Sequence, residues 1–256
     1  MSESRREALR RKQQAQAKAK RTQRIVIVGA IVLAIVVVGV FATIFFSQLN
    51  KGNTANAAAI PPNATSDRSG IVVNPGKAAQ GAPKVELFFD YQCPICKQFE
   101  DAFGSTLDDM ADQGQIELVY RTLTFMDGNL RNDSSSRAGI AAACADNAGK
   151  YSAYHNAVFA GQPATEGTGY TTQQLRADFA ATAGITGDAL TTFQSCYDSK
   201  ATAAFVTGTN ELAAKAGVTS TPTLRVNGTT IDNATIGKAT TPDAFRQLIL
   251  STEGKD

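Results

Sequence analysis

Two cysteines three residues apart, Cys93 and Cys96, bracket Pro94 and Ile95 where an apolar run at residues 85–89 gives way to an amphipathic one. Thiols at that spacing at a helix start can bond each other. The first lies where unpaired helix N–H groups favour negative charge. That layout suits thiol–disulfide exchange, with Cys93 as attacking thiolate and Cys96 as resolving thiol. Cysteines so placed ionise at roughly 3.5 to 7.5 rather than about 8.5. Zinc is a second chemistry open to a C-x-x-C pair, but a structural site needs four ligands. Only Cys144, Cys196 and His155 remain to supply them, and no two of these are closely spaced. No metal and no cofactor is expected. An inert structural bridge is the third reading, and the strand-then-helix context weighs against it.

The elements that must position this pair follow from the pattern around it. A short edge strand at residues 71–73 closes in the turn Asn74-Pro75-Gly76, and a longer strand covers residues 84–90. Pro94 suits the first turn of a helix, where its missing N–H costs nothing. Ile95, Phe99, Phe103, Leu107 and Met110 then recur at helical spacing as far as Gly114. Residues 115–125 read as a second strand. The pattern is helical from about 131 to 200, followed by a helix at 202–216. Asn227-Gly228 lies between two β-prone runs and predicts a hairpin. A last helix begins near Pro242. The order is strand, helix, strand, helical block, hairpin, helix: an α/β fold combining βαβ with ββα.

The chain's address comes from its beginning. Residues 1–24 hold nine basic and two acidic side chains, residues 25–46 none of either, and the remainder 16 basic and 21 acidic. A basic tail can mark nucleic-acid or lipid binding. Here it abuts 22 residues dominated by Val, Ile, Ala and Phe, long enough at about 1.5 Å each to cross a bilayer. The expectation is a cytoplasmic basic tail (1–24), a transmembrane anchor (25–46), a flexible linker (47–69) and an extracytoplasmic domain (70–253), with no nucleic-acid partner. A cleaved signal peptide is the alternative, though its apolar stretch usually spans only about 7 to 15 residues. An oxidising compartment makes four cysteines read as two disulfides. Three pairings are possible. Local geometry favours Cys93 with Cys96, which leaves Cys144 with Cys196 as a structural bridge.

Taken together, Phe88-Phe89-Asp90-Tyr91-Gln92-Cys93-Pro94-Ile95-Cys96-Lys97, Ser136-Arg137-Ala138, Lys150-Tyr151 with His155-Asn156, and Gly217-Val218-Thr219-Ser220-Thr221-Pro222-Thr223 resemble the DsbA-like thiol:disulfide oxidoreductases. The resemblance is to the membrane-anchored type of Gram-positive bacteria and covers about residues 70–252. It implies a thioredoxin fold with an inserted helical domain at about 131–200, preceded by one transmembrane helix. It implies a cis Pro222 whose loop packs beside the dithiol and holds substrate backbone, with Thr221 facing the cysteines. It also implies that His155 packs the insertion. Many relatives carry a buried acid six residues before the first cysteine, to deprotonate the resolving thiol. Leu87 stands there instead, and strand alternation points its neighbour Glu86 to the opposite face.

The expected activity is introduction of disulfides into exported, reduced or unfolded proteins by a single-pass membrane protein acting as a monomer. The family resemblance implies reoxidation by a membrane quinone-linked oxidase. A reductase or isomerase on the same fold, or an anchored module that only grips polypeptide, are the alternatives. Potential and partner separate them.

Overall fold

Five strands make one mixed sheet in the order β1–β3–β2–β4–β5: β1 (Ile71–Val73), β2 (Lys84–Phe89), β3 (Glu117–Thr122), β4 (Thr223–Val226) and β5 (Thr229–Ile231). They belong to a computed structural model that describes residues 59–252. The expected basic tail, the expected membrane span and the first part of the expected linker, to residue 58, lie outside the described residues. Among the described residues no helix is long and apolar enough to cross a membrane.

β2 and β3 run parallel, which requires a crossover between them. That crossover is α1 (Pro94–Phe99), a π-helical turn (Glu100–Gly104) and α2 (Ser105–Asp112). The sequence pattern predicts one unbroken helix here; the five-residue π turn interrupts it and carries Glu100 into the interior. β4 pairs antiparallel with β2, and β5 with β4 across the Asn227-Gly228 turn. Both turn residues have positive φ, 48° and 78°, which Asn and Gly tolerate best. β1 pairs antiparallel with β3 at the edge.

β2 alternates as its two covered faces require. Val85, Leu87 and Phe89 enter the main core with Leu118 and Tyr120 of β3. Phe88 enters a smaller cluster on the other face with Leu123, Ala213 and Val218. Glu86 shares that second face, its carboxylate 2.5 Å from the Arg121 guanidinium.

Between β3 and β4 run α3 (Phe125–Leu130), α4 (Ser134–Ala145), α5 (Tyr151–Ala160), a second π turn (Gln174–Asp178) continued by α6 (Phe179–Thr182), α7 (Gly187–Asp198) and α8 (Ala203–Lys215). Two short-range expectations need correction. β3 ends at Thr122 rather than near residue 125, because Thr124 turns aside to pair through its N–H and hydroxyl with the Asn210 amide of α8, and Phe125 opens α3. The expected flexible linker does not extend to residue 69. Ala59 N–H bonds the Ala201 carbonyl, Asn63 holds Asp146 through backbone and side chain at 2.8 Å, and buried Ser69 meets Arg121. Polar composition read as linker is here a strap, satisfied by hydrogen bonds rather than by apolar burial. α9 (Asn233–Ile236), capped by Asp232, and α10 (Pro242–Ser251), capped by Thr241, finish the fold.

Cys144 of α4 and Cys196 of α7 are bonded to each other, with sulfurs 2.02 Å apart. The bridge ties two helices of the insertion far from the other cysteine pair in sequence.

Candidate active site

β2 ends at Phe89 and the chain turns through Asp90, Tyr91 and Gln92 into α1. Cys93 is itself the N-cap: its backbone is extended (φ −75°, ψ 118°) and its sulfur accepts the Cys96 N–H at 3.4 Å. Pro94 takes the first helical position, as its fixed φ favours. Ile95 is left 54 % exposed beside the pair.

The antiparallel register of β2 with β4 sets the other wall. Phe88 faces Thr223, so the residues just before β4 meet the residues just after β2. Those residues are Thr221 and Pro222, joined by a cis peptide bond. The Thr221 carbonyl lies 3.6 Å from Cys93 Sγ. The fold thus brings Cys93, Pro94, Ile95, Cys96, Thr221 and Pro222 into one locus, while Cys144 and Cys196 lie apart from it in the insertion.

The two thiols are unlike. Cys93 is 6 % exposed and Cys96 only 1 %. The Cys93 thiol is lowered to about 6, first by the hydrogen bond from the Cys96 thiol and against the cost of burial; the N–H groups of Cys96 and Ile95 and Thr221 add to it. Burial pushes the Cys96 thiol well above its ordinary value, and the adjoining Cys93 sulfur adds to that. Both cysteines are free thiols. One sulfur is therefore an anion at neutral pH and the other a protonated donor. Among the described residues no group of three or more His, Cys, Asp or Glu side chains is placed to hold a metal ion.

Several supporting residues carry no signal in composition or periodicity. Asp90 is buried beneath the turn, where it accepts from Gln92 N–H (2.9 Å), Ser135 Oγ (2.5 Å) and Met126 N–H (2.9 Å). Burial pushes its carboxyl up to about 6 against those bonds. The Gln92 amide nitrogen donates to Asp127, Asn132 and Ser135 of the insertion. From the loop after α5, Gln162 Nε2 donates to the carbonyls of Tyr91 (2.8 Å) and Cys93 (3.1 Å), and Tyr170 Oη to the Tyr91 carbonyl (2.6 Å). The helical insertion is thus bolted to the backbone that presents Cys93. The one available signal was an acid and an amide, Asp90 and Gln92, directly ahead of a C-x-x-C pair in an otherwise apolar stretch.

Comparison with known proteins agrees with this geometry. The family model described as thioredoxin matches residues 76–249. Among solved structures, MdbA of Actinomyces oris, a thiol-disulfide oxidoreductase, is similar at 22 % identity and a TM-score of 0.63, over 78 % of this chain and 95 % of that one. At that identity the likeness is one of fold. Reduced DsbA of Mycobacterium tuberculosis shares 26 % identity with a TM-score of 0.55, over 72 % and 93 % of the two chains. Reduced DsbG of the same organism, a disulfide bond oxidoreductase, shares 26 % with a TM-score of 0.53, over 79 % and 92 %. No curated protein matches. The chain belongs to the thioredoxin family, as a DsbA-like thiol-disulfide oxidoreductase.

Proposed function

We propose that the protein donates the Cys93–Cys96 disulfide to exported proteins that reach it with reduced cysteines. The observation that carries this reading is the inequality of the two thiols: Cys93 lowered to about 6 at a helix start, Cys96 buried and raised. A stabilised thiolate favours the reduced form of the pair, which makes its disulfide more oxidising. In the forward direction a substrate thiolate attacks Cys93 Sγ. The Cys93–Cys96 bond breaks, and Cys96 leaves as a thiolate that takes up a proton. A second substrate thiolate then attacks the substrate sulfur of the mixed disulfide, and Cys93 leaves as the thiolate. Substrate gains one disulfide and the protein holds two thiols. Exposed Ile95 and the Thr221-Pro222 loop border the sulfur that is attacked, in a position to meet an extended chain.

The address is part of the proposal. The basic residues 1–24 and the uncharged residues 25–46 support a single membrane span with the domain outside the cytoplasm. Reoxidation of the dithiol by a quinone-linked membrane oxidase completes the cycle. The test is oxidative refolding of a reduced, unfolded multi-cysteine protein by stoichiometric oxidised protein. Disulfides are expected to form faster than with oxidised glutathione, and Cys93→Ser to abolish the effect. Equal refolding with Cys93→Ser would transfer the role to a polypeptide-binding surface.

A further inference from the structure

α5 turns one stripe of side chains toward the residues that precede Cys93. His155, Phe159 and Gln162, the last just beyond the helix end, follow one another at helical spacing and share a face. All three meet Tyr91. The Phe159 ring lies 5.1 Å and the His155 ring 5.6 Å from the Tyr91 ring, and Gln162 donates to the Tyr91 carbonyl. His155 is the chain's one histidine and, like Tyr91, is fully buried. An imidazole in an apolar core is costly unless its nitrogens find partners. Nε2 lies 3.2 Å from Glu100 Oε1. With the ring proton on that side, Nδ1 is left to accept the Tyr91 hydroxyl at 3.1 Å. Stability alone gives little reason for this pair, since replacing both partners of a buried hydrogen bond by apolar groups of the same shape is often neutral.

What the bond holds is the turn that presents the nucleophile. Cys93 N–H closes on the Asp90 carbonyl at 3.0 Å, so Tyr91 and Gln92 are the inner residues of a four-residue turn. The sulfur at its end sits 3.4 Å from the Cys96 nitrogen and 3.6 Å from the Thr221 carbonyl. Contacts of that kind weaken steeply when the geometry slips. Asp90 and Gln92 hand their side chains to α3, α4 and the segment between them, through Asp127, Asn132 and Ser135. Tyr91 gives its hydroxyl to α5 instead. The turn is thereby fixed from two directions, and His155 is the polar anchor of the second.

We propose that His155 is a positioning residue for the exchange reaction: by holding Tyr91 it keeps the Cys93 sulfur on its helix-start donors, and so favours the reduced form of the pair. This inference rests on the dithiol reading above. His155 takes no proton from either cysteine. Such a preference is reciprocal: a bond that favours one redox state is itself altered by the redox state. The other titratable groups around the Tyr91–His155 pair are Glu100 from the π turn, Asp108 from α2, Tyr120 from β3, and Tyr151 and Tyr154 from α5. All of them are kept in the variants that test it.

Tyr91→Phe and His155→Gln each break the bond, and the glutamine keeps an amide for Glu100. The alkylation rate of Cys93 by iodoacetamide, followed against pH in the reduced full-length chain, gives the thiol's midpoint. Each variant should raise that midpoint by about half a unit, and the double variant by no more than either, as for two residues acting through one hydrogen bond. An unchanged midpoint in either single variant assigns His155 to packing and overturns the proposal. A double variant that shifts by the sum of the two also overturns it. A wild-type Cys93 that alkylates as an ordinary thiol overturns the dithiol reading instead. Should the variants not fold, the wild type decides, because isotope-labelled histidine gives one imidazole signal. An Nδ1 resonance that differs between the reduced and oxidised chain supports the proposal, and one that is the same in both overturns it.

Discussion

The depressed Cys93 thiol depends first on its partner, and Cys96→Ala tests that dependence. At about 6 the thiol is roughly 90 % ionised at neutral pH, against about 1 % at the ordinary value of 9.0. The largest contribution is the Cys96 thiol, ahead of the backbone N–H groups and Thr221, which the alanine variant keeps. A hydrogen bond to a charged group contributes about 1.5 to 3 kcal/mol, and each pKa unit corresponds to about 1.4 kcal/mol. Loss of the thiol donor should therefore raise the Cys93 midpoint by about one to two units, to about 7 or 8. Thiolate absorbance against pH, checked by alkylation rates, reads this directly. Cys96→Ser keeps a donor of similar reach and should stay closer to the wild-type midpoint. A midpoint still near 6 in the alanine variant would refute the reasoning and assign the depression to the helix start and the Thr221 loop. A serine variant that rises as far as alanine would refute the hydrogen-bond explanation while leaving the dependence on the Cys96 sulfur.

Asp90 makes stability pH-dependent. Its folded pKa of about 6 exceeds the ordinary carboxyl value of 3.8, so the folded state binds the extra proton. Its contribution is complete below about pH 4 and is lost as pH rises through about 6, an effect of up to about 3 kcal/mol. Denaturant titrations of Asp90→Asn should show that part of the slope flattened; an unchanged slope would place the titration elsewhere. Replacing Cys144 and Cys196 together by alanine opens a loop of sequence separation 52 and should cost about 4 kcal/mol of stability, with exchange at Cys93 intact in the folded protein. Loss of exchange with unchanged unfolding would make that bridge functional. Gln162→Ala removes its two bonds to the Cys93 turn, leaving that of Tyr170, and should slow exchange several-fold while lowering global stability by about 1 kcal/mol. Unaltered exchange kinetics would reduce Gln162 to loop packing.

The fold's punctuation was legible wherever backbone chemistry is local. Pro94 at the first helical position and Asn227-Gly228 at positive φ follow from single residues or dipeptides, and strand alternation puts Leu87 and Glu86 on opposite faces. The π turn was not legible, because Phe99, Phe103 and Leu107 preserve helical spacing across it and the extra residue per turn leaves no periodic trace. The strap at residues 59–69 read as a linker because its anchors are polar and distant in sequence: Asn63 on Asp146, Ser69 on Arg121. At the site, the cysteines and the Thr221-Pro222 wall could be named from the sequence. Gln162 and Tyr170 could not, since their partners are backbone carbonyls that a sequence does not mark. His155 read as packing material. It packs, but each nitrogen also has a polar neighbour, one of them an acid from the turn that periodicity conceals.

The reduction potential of the Cys93–Cys96 pair, measured by equilibration of the full-length protein in glutathione buffers, bears most directly on the proposed role as an oxidant. A Cys93 thiolate at about 6 moves the pair towards the oxidising end of this fold's scale but, at about 30 mV per pKa unit, supplies only part of the distance. The proposed role itself predicts a value near about −120 mV. A value near about −270 mV would contradict it, and the same two sulfurs would then be those of a reductant.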